Sequence, residues 1–242
     1  MRIDGIEIRE TVINEKWTIN LPWYRAQRPE WPFWEKERLA AMHQFINPGD
    51  VVYDIGAEEG DLPALYATWG ARLVLVEPNP KVWPTTRITW KANDLPEPVG
   101  WWVGLCSDVT ELDPPLLDFD ATERDGWPEC SYDEPIPGHG FRHIWEHATS
   151  TPQLTLTDLV EQVGTPPDVI TMDVEGGEGH VLRGAVETLK EFRPIVFASL
   201  HVDFMRDLYR EHPREIHALM ADLGYAERFL ATDHEEHWMW LP

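Results

Sequence analysis

The chain has 242 residues, enough for one domain with an elaborated end. Its 20 basic and 43 acidic residues give a formal net charge of −23, which repels a nucleic-acid backbone and an anionic membrane surface. Cys106 and Cys130 are the only cysteines, with no CxxC spacing; this excludes a disulfide scaffold and, with neither a signal pattern nor a membrane-length apolar run, the expectation is a cytoplasmic protein.

Residues 1–22 alternate loosely around Asp4-Gly5 and predict a β-hairpin. Residues 23–34, WYRAQRPEWPFW, are dense in aromatics and proline, and a helix is expected over Glu35–Phe45 before Asn47-Pro48-Gly49 stops it. From Val51 the texture becomes strands alternating with helices. Strands are predicted at 51–55, 72–76, 101–105, 168–172 and 194–199, with helices at 61–68, 80–91, 158–163, 178–192, 203–210 and 213–223. The tail, 226–230 and 237–241, reads as a closing hairpin. Such alternation implies an α/β fold, a largely parallel sheet covered on both faces. Residues 1–48 form an N-terminal extension, and 49–242 the main domain with an insertion at 107–150. That insertion carries eleven acids against Arg124 and Arg142.

The stretch VVYDIGAEEGD, Val51–Asp61, places Asp54, Gly56 and Gly60 where a strand should feed a helix. Glu77 follows Gly56 by 21 residues, at the end of a second apolar run. Glycines let the backbone approach a ligand, and a carboxylate at a strand end can accept from both hydroxyls of a ribose. Glu58 and Glu59 inside the turn would oppose a pyrophosphate, which disfavours a nicotinamide dinucleotide. A nucleoside with a cationic or zwitterionic tail is compatible, and S-adenosylmethionine has one.

A second motif, DVITMDVEGGEGHVLRGA, delivers Asp173 and Glu175 at a strand end, with Gly176-Gly177 turning into a helix near Glu178. Three carboxylates within six residues can cap a helix, share a divalent cation, or act as a base. Together with GDVVYDIGAEEGD, VEPNP, TLTDLV and RPIVFASLH, this motif resembles the FkbM family of S-adenosylmethionine-dependent methyltransferases over about residues 35–201. The resemblance implies a class I methyltransferase (Rossmann-like) fold, a seven-stranded mixed sheet with helices on both faces and an antiparallel last strand. It implies methyl transfer, usually O-methylation of a hydroxyl on a sugar, glycosylated product or other natural product. Carried onto this chain, Asp54, Gly56, Ala57 and Gly60 match the cofactor loop, Glu77 with Pro78 the ribose segment, and Ser107 and Asp108 the segment beside the adenine. Asp173, Glu175 and Glu178 match the acidic motif. Three positions depart from the family's pattern: Glu58 for the usual Asn, Thr171 for Lys, and Ser199 for Glu.

Asp173 is the first candidate for the base, His201 the second, and Glu175 could orient the acceptor. No metal is favoured, though Asp173, Glu175 and Glu178 could share a divalent ion. His143 and His147 have zinc-compatible spacing but lack further ligands, so they read as exposed, as do His234 and His237. The aromatics of residues 17–34, with Trp127, Tyr132, Phe141 and Trp145, could either close over an acceptor or pack the extension and insertion onto the core. The expected partner is a small-molecule or glycan acceptor. A catalytically silent adenosine-cofactor-binding subunit and an N-methyltransferase remain as alternatives.

Overall fold

The computed structural model describes residues 1–112, 119–124, 126–130 and 151–242. Three short strands open the chain: β1 (Arg2–Ile3), β2 (Ile6–Ile13) and β3 (Trp17–Pro22). They form an antiparallel sheet of their own, so the extension has two hairpin turns rather than the single one expected. Asp4 and Gly5 both have positive φ, at 48° and 83°, as a tight hairpin turn demands. Asn14 and Glu15 make the second turn with φ of 52° and 55°, a conformation that Glu seldom adopts and that the sequence did not signal. Ile13, Trp17, Ile19 and Leu21 of this sheet are buried in the main core.

Helix α1 (Trp23–Ala26) and helix α2 (Lys36–Phe45) lead into β4 (Val51–Ile55), α3 (Asp61–Thr68), β5 (Arg72–Val76), α4 (Trp83–Ala92) and β6 (Gly100–Trp102). The expected strand at 101–105 splits. Its second part becomes β7 (Leu105–Ser107), which pairs in parallel with β10 (Gln153–Thr155) in a separate ribbon. Between them lies a hairpin, β8 (Phe119–Arg124) and β9 (Trp127–Cys130). Then come α5 (Leu156–Val163), β11 (Val169–Met172), α6 (Glu178–Gly184), α7 (Val186–Phe192) and β12 (Ile195–Leu200). The helix expected over 178–192 breaks at Ala185. Gly184 packs so closely that a Cβ there would lie 2.0 Å from the carbonyl oxygen of Ser107. A short helical segment spans 202–209, and α8 (Pro213–Asp222), β13 (Ala226–Thr232) and β14 (Glu236–Leu241) complete the chain.

The main sheet has seven strands in the order β13-β14-β12-β11-β4-β5-β6, with β14 antiparallel to both neighbours. β4 and β11 are buried along their whole length, which explains their continuous apolar character. Alternation sends Val52, Leu73, Leu75, Val169 and Phe197 to the face covered by the extension, α2 and α3. Tyr53, Val74, Ile170, Val196 and Trp240 go to the other face, with α5–α8. From β4 the chain steps outward to β5 and β6, then returns to lay β11 on the other side of β4. The C-terminal ends of β4 and β11 therefore flank a topological switch point, where open parallel sheets bind ligands.

Candidate active site

The turn after β4 is shaped by close approach. Gly56 has φ 91°, and a Cβ there would lie 2.0 Å from the backbone oxygen of Asp173, just beyond β11. Gly60 has φ 81° and abuts Thr86 of α4. Glu58 between them has positive φ as well. The carboxylate of Glu77 is buried and accepts from the backbone N–H of Glu58 at 3.0 Å and of Asn79 at 2.7 Å. Burial raises its pKa to about 7, against the pull of those two N–H groups.

A cavity of about 210 Å³ opens in front of this turn. Asp54, Gly56, Ala57 and Glu58 form its floor, Asp173 and Glu175 one wall, and His234 and Glu235 of the β13–β14 turn its far side. The extension supplies Arg25, Arg28, Trp31, Trp34, Glu35 and Arg38 as a roof. Glu77 sits behind Glu58, outside this lining. Ser107 and Asp108 lie elsewhere: Ser107 packs on Gly184, and Asp108 contacts Arg183 and His180, both at 3.1 Å.

Strand periodicity gathers the polar residues. Thr171 is the register partner of Asp54, and both face α2. Burial raises the pKa of Asp54 to about 8. Arg38 reaches down from α2, fully buried, to donate to Thr171 Oγ1 at 2.8 Å and to Glu35 at 2.5 Å, with Asp173 Oδ2 at 3.5 Å. The guanidinium thus brings a positive charge to the position where the resemblance anticipated a lysine. Glu35 holds an αL backbone, φ 42°. Arg25 contacts Asp61, Glu59 at 3.1 Å and Glu58 at 3.7 Å, so the acids of the turn are partly compensated.

His201, at the end of β12, is buried among carboxylates. Its Nδ1 lies 2.8 Å from Glu178, and its Nε2 faces Glu235 at 3.2 Å, Glu175 at 3.3 Å and Asp173 at 3.5 Å. Burial alone would lower its pKa, but the contacts with Glu178 and Glu235 and the surrounding charge raise it to about 11. An imidazolium has no free lone pair, so His201 stands in the site as a cation that fixes Asp173 and Glu175 rather than as a base. Burial raises the pKa of Asp173, and that of Glu175 to about 7. Glu178 turns away from the cavity to His201 and the N–H of Gly176, so it does not join Asp173 and Glu175 in the grouping that was possible for a divalent ion but not favoured. Asp173, Glu175 and His201 instead place ligand atoms within 4.8 Å of one another.

Ser199 meets Nδ1 of His237 at 3.0 Å, and Nε2 of His237 lies 2.9 Å from Asp233. Ser199 and His237 are fully buried, so the expectation of an exposed His237 is corrected: the side chain ties β12 to β14. His234 is nearly half exposed. His143, His147, Tyr132, Phe141 and Trp145 fall outside the described residues. Trp127 is buried edge-on to Trp90, 5.5 Å between rings, which packs the described part of the insertion on α4.

The sequence reading missed Arg25, Arg28, Glu35, Arg38 and Glu235. Three arginines interleaved with tryptophans in so acidic a chain were a usable signal for the first group. Nothing local marked Glu235.

The family profile described as the methyltransferase FkbM domain matches residues 54–227. Among solved structures, an FkbM methyltransferase from Methylobacillus flagellatus is 14% identical with a TM-score of 0.41, covering 80% of this chain and 44% of that one. A precorrin-6y C5,15-methyltransferase from Geobacter metallireducens is 12% identical with a TM-score of 0.46, covering 86% and 89%. A SAM-dependent methyltransferase from Agrobacterium tumefaciens is 12% identical with a TM-score of 0.45, covering 98% and 70%. The comparison with curated proteins gives no match. No described helix is long and apolar enough to cross a membrane.

Proposed function

Because this chain belongs to the FkbM methyltransferase domain family, we propose that it is an S-adenosylmethionine-dependent O-methyltransferase acting on a hydroxyl of a sugar or small glycosylated natural product. The cofactor, when bound, supplies a methyl group already activated on a sulfonium. The residues present suit it. Gly56 and Gly60 let the turn pack tightly on Asp173 and Thr86, and Gly56 and Ala57 line the cavity. Glu77 at the end of β5, with Pro78 beside it, is the carboxylate we assign to the ribose hydroxyls, reached from behind the Glu58 turn. Among the described residues, Glu35 Oε1 and Asp61 Oδ1 are buried without hydrogen-bond partners, and both residues line the cavity. Such walls favour a cationic guest.

The observation that carries the O-methylation reading is the placement of Asp173. It is a partly open carboxylate, with 29% of its side chain exposed, directly behind the Gly56 turn and with its pKa raised by burial. With the cofactor bound, Asp173 would accept the proton that the acceptor hydroxyl gives up on methylation. Arg38 and protonated His201 hold that carboxylate from either side, and Glu175 orients the acceptor hydroxyl. A screen of glycans and metabolites with labelled cofactor tests this. Asp173→Asn should keep S-adenosylhomocysteine binding while losing about 100-fold or more of transfer. Transfer confined to amines, or an undiminished Asp173→Asn enzyme, would overturn the reading.

A further inference from the structure

Arg28 lines the cavity from the extension, and among the described residues no carboxylate lies within ion-pair distance of its guanidinium. The guanidinium carbon instead sits 4.3 Å from the ring centre of Trp34 and 5.3 Å from that of Trp31. Acids are not scarce nearby, since Arg25, one helical turn earlier, engages Asp61, Glu59 and Glu58. The two indole rings fix the plane of Arg28, whose charge acts on Glu58 from beyond ion-pair distance. The fork is left for a group that arrives from solvent.

Trp34 also meets His234, with 4.9 Å between rings, which sets this corner beside the β13–β14 turn and the Glu235 side of the cavity. The neighbouring acids restrict what can bind. A phosphate dianion would be repelled by Glu58, Asp61 and Glu35, whereas a planar monoanion matched to one guanidinium is accommodated.

We propose that Arg28, held by Trp31 and Trp34, is a carboxylate-binding residue of this cavity, receiving an aliphatic carboxylate in a forked two-point contact. Two ligands could carry that group: the amino-acid end of the S-adenosyl cofactor, or an acceptor of the uronic-acid type. The first source rests on the proposed cofactor, and the second does not.

Calorimetry separates them. S-adenosylhomocysteine and 5′-methylthioadenosine share the nucleoside, but only the former has the amino-acid end. If the cofactor is the source, Arg28→Gln weakens S-adenosylhomocysteine by about 10-fold or more and leaves 5′-methylthioadenosine within about twofold. Arg28→Lys then recovers only part, because an ammonium lacks the fork. Arg206→Gln, on a distant exposed ion pair, serves as the control, and thermal melts check that each variant folds. If S-adenosylhomocysteine is unaffected, saturation-transfer NMR on the liganded protein should show glucuronate bound, glucose not bound, and the glucuronate signal lost in Arg28→Gln. The inference is overturned if neither ligand depends on Arg28. If neither nucleoside binds the unmodified protein, the proposed function fails instead, and the glucuronate arm alone decides this inference.

Discussion

Arg38 and Thr171 lie 133 positions apart, yet the guanidinium on α2 donates to the threonine hydroxyl on β11 at 2.8 Å. This contact joins the extension to the centre of the sheet. It belongs to a buried set in which Glu35 balances Arg38 and both border Asp173. Arg38→Met should therefore destabilise the protein by about 3–5 kcal/mol, because Glu35 is left as an uncompensated buried acid. The double variant Glu35→Leu with Arg38→Met should recover most of that loss. Urea unfolding measures both, and a single-variant cost below about 1 kcal/mol would refute the coupling.

Gly56→Ala places a methyl group 2.0 Å from the Asp173 carbonyl oxygen at a φ of 91°. The turn after β4 or the end of β11 must shift. A loss of at least about 1–3 kcal/mol is expected from the backbone strain alone, together with loss of S-adenosylhomocysteine binding by calorimetry. Normal binding in a fully folded Gly56→Ala protein would show that the close approach is unimportant.

Glu77→Gln swaps an oxygen that accepts from Glu58 or Asn79 for an NH₂ group that cannot. It also weakens acceptance from a ribose. Cofactor affinity should fall by about 10- to 100-fold, corresponding to one hydrogen bond to a charged group. An unchanged dissociation constant would remove Glu77 from the cofactor site.

Asp54 gives a pH dependence. Its carboxyl is held at about 8 when folded, against an ordinary value of 3.8, so the folded state binds the proton more tightly. This contribution to stability is present in full below about pH 3.8 and is lost as pH rises through about 8. Asp54→Asn cannot ionise. Its melting temperature relative to the unmodified protein should climb between pH 5 and pH 8, by roughly 10 °C. A pH-independent difference between the two proteins would show that Asp54 is not held neutral.

The sequence by itself determined the alternating α/β plan, the glycine turn after β4, the acid at the end of β5 and the acidic motif after β11. Those features are local: a five-residue buried strand, a turn that needs glycine and a helix start each leave a pattern within a dozen residues. Tertiary structure alone decided which charges meet. Arg38 reaches Thr171 because the two-residue period of β11 points that side chain at α2, and Glu235 reaches His201 because β14 runs back beside β12. Tertiary packing also turned His201 from a candidate base into a cation, since its protonation follows from four carboxylates brought together from α6, β11's end and the β13–β14 turn. Electrostatic energy depends on distance in space and on burial, and neither is written in the spacing of residues along a chain.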